Sequence, residues 1–216
     1  MEKQVSLTRC ALDSGVAFVL FDWMYHYVTD ESPMDLNSFL NYFTREERKR
    51  IMFLDGLTKS LGASNIRNCH LIADEAVIKF IVARASHTVM PSFYSLAVAM
   101  AAYEMGFAEA AKTIIEPTNA SRVVLKKLLV ESELQHIIGK GYYAFMNVGE
   151  YIKAKGWSDT EPLGQYLAEN HGVAVVPGAF FSPFGGDWIR FSYATPAERT
   201  EGAFKRLMDG LNSLKN

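Results

Sequence analysis

The sequence is short of the features that would place it in several large classes. Only two cysteines occur in 216 residues, Cys10 and Cys69, too few for a disulfide framework. Two free thiols in a reducing cytoplasm are the simplest reading. Basic residues show no surplus: 22 Lys and Arg stand against 24 Asp and Glu, a formal net charge of −2. No basic footprint for nucleic acid follows. The longest apolar runs, VAFVLF (16–21) and SLAVAMAAY (95–103), are too short to cross a bilayer. Residues 1–15 lack the continuous apolar stretch of a secretory signal. A soluble, cytoplasmic protein with no membrane or nucleic-acid partner is expected.

Other patterns are missing too. Gly-x-Ser-x-Gly, Walker and Rossmann glycine signatures do not occur. The five histidines, His26, His70, His87, His136 and His171, show no metal-ligand spacing, and Cys69-His70 as neighbours cannot close a site. No metal is expected. Asn119-Ala-Ser121 fits a glycosylation sequon only by chance in a chain without a secretory signal. The run TREERKR (44–50) reads as a solvated helix.

What is present is an alternation of apolar runs and helical patterns. VAFVLFD (16–22), RIMFLD (50–55), CHLIA (69–73) and VAVVPG (173–178) are continuous apolar runs, suited to strands covered on both faces. GYYAFMNV (141–148) and DWIRFSYA (187–194) alternate, which suits strands with one covered face. Helices are expected over 74–86, over 91–105 with Pro91 in the first turn, from Pro117 to about 135, over 159–170 and over 196–214. The last repeats apolar positions at Phe204, Leu207, Met208, Leu211 and Leu214, an amphipathic closing helix.

A composition change near Glu116–Pro117 divides the chain into residues 1–116 and 117–216. The fold class is α/β: a mostly parallel sheet with helices, then a small α+β domain. Three parallel strands with crossovers make an open, incomplete sheet in the first block.

The chemistry-bearing residues cluster around one lysine. Lys59 follows a buried strand, within a run holding Gly56, Thr58, Ser60, Gly62 and Ser64. Ligands of α/β sheets bind beyond the carboxyl ends of strands. Taken singly, Lys59 also reads as a solvated loop lysine and Arg67 as a surface arginine. Asp22 ends the strand VAFVLF, where a carboxylate is costly without a cationic partner. It also reads as a turn or helix-cap aspartate, and Tyr25 as a packed aromatic.

In combination these residues become specific. Asp-x-x-Tyr after a strand, Thr-Lys-Ser, and an arginine eight residues beyond the lysine resemble the core of the class I/II aminotransferases of fold type I. GYYAFMNV (141–148) and GVAVVPGAFFSPFGGDWIRFSYATPAER (172–199) are similar to that family's small-domain strand and terminal signature. The resemblance implies pyridoxal 5′-phosphate as cofactor and amino-group transfer between an amino acid and a 2-oxo acid. It implies Lys59 as the catalytic, cofactor-holding lysine, Asp22 as the partner of the pyridine nitrogen and Tyr25 as a donor to the ring oxygen. Arg67 would clasp the phosphate and Arg190 the substrate carboxylate. Gly56 stands where the family usually carries a phosphate-contacting serine, and Cys69 where glycine is common; Thr58 and Ser60 are placed to compensate.

The family's first half, with the remaining large-domain strands, has no counterpart in this sequence. The chain is therefore read as a carboxy-terminal half whose partner is a second copy in a homodimer, or the missing amino-terminal half. A C–S β-lyase of the same fold is the alternative chemistry. A cofactor-incompetent fragment acting as a dimerisation module is the non-enzymatic one.

Overall fold

The computed structural model describes residues 1–29, 33–85 and 92–215; the expectations at Ser86, His87 and Pro91 fall outside them. Contacts divide the chain into two compact units, Met1–Ile115 and Glu116–Asn216. The first holds α1 (Glu2–Asp13), β1 (Val19–Asp22), α2 (Leu36–Leu40), α3 (Arg45–Arg48), β2 (Ile51–Gly56), α4 (Leu57–Ser60), β3 (Cys69–Ile72), α5 (Glu75–Ala85) and α6 (Phe93–Glu104). Residues of α7 (Phe107–Glu131) belong to both. The second holds β4 (His136–Ile138), β5 (Tyr143–Asn147), α8 (Gly149–Ala154), α9 (Glu161–His171), β6 (Val176–Pro177), β7 (Trp188–Ser192) and α10 (Ala197–Ser213). Among the described residues no helix is long and apolar enough to cross a membrane.

Local chemistry starts and stops these helices. Asp35 caps α2 by accepting the Ser38 amide at 2.8 Å. Thr44 and Glu47 form a reciprocal capping box on α3, which satisfies two otherwise orphaned donors. Pro162 lies in the first turn of α9, and Gly172 ends it in the left-handed region at φ 61°, a conformation glycine reaches without a Cβ penalty.

In the first unit the sheet order is β1-β2-β3. β1 and β2 are parallel, with Val19 beside Ile51. β3 was expected to be parallel as well, but it runs antiparallel to β2, with Gly56 beside Cys69. The connection explains the direction. Residues 57–68 coil into α4 and a 3-10 turn at Ser64–Ile66 and close on themselves: Leu57 N–H donates to Asn68 C=O at 3.3 Å and Ala63 N–H to Leu57 C=O at 3.3 Å. Such a turn returns the chain to the sheet end it left, whereas a parallel crossover must carry it to the other end.

The expectation of strands covered on both faces is also corrected. Ile51, Phe53 and Asp55 on one face of β2 are buried, while Met52 and Leu54 on the other are half-buried, and Leu20 of β1 is 54 % exposed. The covered face packs on Leu12 of α1 and on Phe39 and Phe43. Phe21 stacks on Phe53 at 5.0 Å, with Phe39 edge-on to Phe21 at 5.4 Å, the arrangement ring quadrupoles favour.

Two further expectations change. Pro117 lies inside α7 instead of starting a helix. Ala111, Thr118, Arg122, Leu125 and Leu129 are buried at spacings of three, four or seven residues, so one buried stripe continues past the proline. An interior proline costs a helix about 3 kcal/mol, which the fully buried Leu125 and Leu129 offset at roughly 1.5–3 kcal/mol each. The run 173–178 yields only the two-residue β6. Its first residue is engaged elsewhere: Val173 N–H donates to Leu167 C=O at 3.1 Å, closing the end of α9.

The second unit is an antiparallel sheet, β4-β5-β7-β6. Its core includes Met146, Ile189, Phe191, Leu163, Leu167, Phe204, Leu207 and Leu211. Gly210 lets α10 approach α9, since a Cβ there would lie 2.5 Å from a Leu167 methyl.

Gly56 gives the sharpest test of the β2–β3 turn. A Cβ at this position would meet Asn68 O at 2.7 Å and Cys69 Cα at 2.9 Å, both backbone atoms. Gly56→Ala should therefore cost about 1–3 kcal/mol, read as a lower urea midpoint. Gly139→Ala, where a Cβ meets nothing within 4 Å, should stay within about 0.5 kcal/mol.

Candidate active site

The parallel strands β1 and β2 end together, and the carboxyl ends carry the residues singled out above. Asp22 is the last residue of β1, opposite Leu54 in β2. Lys59 follows three residues after Gly56, the last residue of β2. Leu57, fully buried with Ala102 and Phe107, pins the turn that presents the lysine. The Lys59 amine lies 5.6 Å from the centroid of the Tyr25 ring, within cation–π range.

The environment of Asp22 differs from expectation. Its side chain is exposed, because β1 alternates between half-buried and exposed positions. The burial cost invoked from the apolar run therefore does not apply. Oδ1 accepts the Met24 amide at 3.1 Å, the local turn that aspartate favours.

Arg67 is exposed and left-handed at φ 54°, ψ 47°. Its Nη1 donates to Ser64 C=O at 3.1 Å, which holds the guanidinium over the same turn. A non-glycine residue in this region stores strain, and such strain concentrates at ligand sites. Thr58, half-buried, sits in α4 directly before the lysine.

The structure thus gathers Asp22, Tyr25, Thr58, Lys59 and Arg67 at one end of the first unit's sheet. Arg190 lies in the second unit, on β7 between Phe145 of β5 and Val176 of β6. Its guanidinium sits between two rings, 4.3 Å from the Tyr143 centroid and 4.7 Å from that of Phe181. The loop carrying Phe181 is held close by Gly178, where a Cβ would lie 2.6 Å from Trp188 O.

The sequence profile described as "Aminotransferase class I and II" matches residues 10–207. The chain belongs to the class I and II aminotransferase family. It is 25 % identical to an aspartate aminotransferase of Sulfurisphaera tokodaii over 99 % of its own length and 52 % of that protein's. It superposes on the aromatic aminotransferase of Pyrococcus horikoshii with a TM-score of 0.79 at 21 % identity, covering 100 % of this chain and 56 % of that one. A PLP-bound C–S lyase from Staphylococcus hominis gives a TM-score of 0.79 at 16 % identity, with coverages of 98 % and 54 %. The fold-type-I aminotransferase architecture expected from the resemblance is the one found. The chain spans about half the length of the curated relatives it matches.

The donor set of this aminotransferase-family chain fits pyridoxal phosphate. A half-buried amine over a phenol ring, an exposed carboxylate and an exposed guanidinium match an aldehyde, a pyridinium nitrogen and a phosphate in chemical kind. Among the described residues no group of three His, Cys, Asp or Glu side chains could hold a metal ion.

A second cluster beside the lysine turn was not anticipated. Asp55, the residue before Gly56, is buried at 4 % exposure and accepts the Gly56 amide on Oδ1 at 2.7 Å. His26 Nδ1 lies 3.9 Å from its Oδ2. The signal was available: RIMFLD also ends a buried apolar strand in aspartate, and the desolvation argument made for Asp22 belongs to Asp55. The Tyr27 phenol is pushed up by burial and then by the Asp55 charge. Tyr103, whose hydroxyl lies 2.9 Å from His70 Nδ1, is pushed up to about 12 by burial, then by Asp55, then by Tyr27.

Two outcomes follow. Arg67→Gly should raise stability by about 1 kcal/mol through release of the left-handed strain, seen as a higher urea midpoint. Absorbance at the phenolate band should show a late ionisation near pH 12 that Tyr103→Phe removes. Because the folded phenol holds its proton more tightly than the unfolded one, the associated stability is complete below pH 10 and is lost as pH rises toward 12.

Proposed function

We propose that this chain is the lysine-bearing part of a pyridoxal-phosphate-dependent aminotransferase, moving an amino group between an amino acid and a 2-oxo acid. The single observation that carries the reading is the Lys59 amine poised over Tyr25, where two parallel strands end beside Asp22. In this reading residues 1–116 are part of the cofactor-binding large domain and 117–216 the small domain. The two compact units, Met1–Ile115 and Glu116–Asn216, support that division.

Each residue has a task in this proposal. Pyridoxal phosphate, when bound, supplies an electron sink for the bond broken at the substrate Cα. Asp22 holds a proton on the pyridine nitrogen through its exposed carboxylate. Tyr25 orients the ring through its hydroxyl. Arg67 and Thr58 bind the phosphate, the first by paired N–H donors and the second by its hydroxyl. Lys59 Nζ would hold the aldehyde carbon and, once released, would carry the proton from the substrate Cα to that cofactor carbon, as base and then acid. Arg190, kept between Tyr143 and Phe181, binds the α-carboxylate with its planar fork.

The remaining part of the fold comes, in this reading, from further chain or from a second polypeptide, with a homodimer as the assembly. A reducing cytoplasm suits the two free, exposed thiols Cys10 and Cys69.

Incubation with pyridoxal phosphate followed by borohydride reduction should fix one phosphopyridoxyl group on the Lys59 peptide, found by mass spectrometry, and none in Lys59→Ala. Stoichiometric labelling of a different lysine, or equal labelling of the variant, overturns the assignment. Where turnover is observed, 2-oxo acid formation matched to consumption of a second 2-oxo acid supports transfer. Release of pyruvate and ammonia from cystathionine overturns it in favour of β-elimination.

A further inference from the structure

The second cluster contains a contradiction that one protonation state resolves. His26 is nearly enclosed, with its side chain 10 % exposed, and Asp55 opposite it is at 6 %. The ring packs against Trp23 at 4.1 Å and Tyr27 at 4.6 Å, tilted to each by 31° and 50°, which restrains its plane. Its Nε2 lies 3.2 Å from the Met34 carbonyl. A carbonyl only accepts, so Nε2 carries a hydrogen. Its Nδ1 is buried without a hydrogen-bond partner among the described residues and lies 3.9 Å from the Asp55 carboxylate. A neutral ring with its hydrogen on Nε2 would aim a lone pair at a carboxylate in a site closed to water. A hydrogen on Nδ1 as well turns that repulsion into attraction.

We infer that His26, protonated on both ring nitrogens, and Asp55 form a buried ion pair whose task is to position Tyr25 against Lys59. Both partners adjoin the residues they would set. His26 follows Tyr25 directly, and Asp55 precedes Gly56, the residue at the start of the helix that carries Lys59. Asp55 also holds the Gly56 amide at 2.7 Å, so the carboxylate touches the base of the lysine turn and the ring behind the tyrosine at once. The pair is a clamp between the Asp22–Tyr25 turn and α4.

β2 presents Asp55 itself. β3 places His70 opposite Asp55 in the register, engaged with the Tyr103 hydroxyl of α6. The turn after β1 presents Tyr27. Burial first, and then the Asp55 charge, makes Tyr27 and Tyr103 hold their protons more tightly. Among these groups His26 is the one aimed at Asp55 with an unfilled donor position.

His26 and Asp55 are positioning residues, and the inference rests on the reading of Tyr25 and Lys59 as cofactor contacts. The test is therefore made without cofactor. Reductive ¹³C-methylation of the chain should give a Lys59 dimethylamine resonance shifted upfield by the Tyr25 ring, assigned by its loss in Lys59→Arg and its return to the common lysine position in Tyr25→Leu. Asp55→Asn and His26→Gln should each move it to that common position, with the double variant moving it no further. Phe39→Leu, which thins the same aromatic core, should lower the melting temperature and leave it in place. Nitrogen-15 shifts of the His26 ring at neutral pH should show hydrogen on both atoms.

An unprotonated Nδ1, a Lys59 resonance unmoved in a folded variant, or an equal movement in Phe39→Leu overturns the inference. Should Asp55→Asn fail to fold, His26→Gln and the ring-nitrogen shifts decide it. Failure of borohydride trapping on Lys59 would sink the cofactor reading and leave this measurement standing.

Discussion

The first unit depends on how tightly residues 57–68 close on the end of β2. Leu57 bonds back to Asn68, and its side chain is sealed beneath Ala102 and Phe107. Gly56 and Cys69 lie so close that no Cβ fits between them. Everything chemically distinctive hangs from this closure. It fixes the antiparallel direction of β3, aims the lysine back toward β1 and forces Arg67 into a left-handed conformation. A looser turn would relieve the strain and lose the convergence.

Short-range chemistry was therefore readable in the sequence and long-range geometry was not. The spacing of Lys59 and Arg67 carried information because both belong to one turn, whose shape their neighbours dictate. The helix within TREERKR was legible for the same reason, since its capping box at Thr44 and Glu47 is local. The direction of β3 depends on loop closure, which no apolar count reports. The short strand β4 has too few residues to announce a period, and pairing with β5 makes it; Leu12 of α1 packs beneath the sheet of the first unit.

Asp22 and Asp55 make the same point from opposite directions. Both follow apolar runs, and the sequence favoured Asp22 as the strained one. Burial reverses the order: Asp22 is exposed at the end of an edge strand, whereas Asp55, on the central strand and on its covered face, is enclosed. Which of two like residues bears an electrostatic load is a property of strand order. In the second unit Arg190 is held by aromatic faces on either side, and that support depends on a loop whose close approach Gly178 permits.

The proline within α7 has a bearing on how that element exists at all. With no N–H at Pro117, the ladder is interrupted between the ten residues 107–116 and the fourteen residues 118–131, each at or below the roughly 12–15 residues at which an isolated helix becomes marginal in water. Removed from the protein, the segment would not keep its rod-like form. Its continuity is conferred by the groups that bury it, so this helix is a product of the folded state and not one of its starting materials.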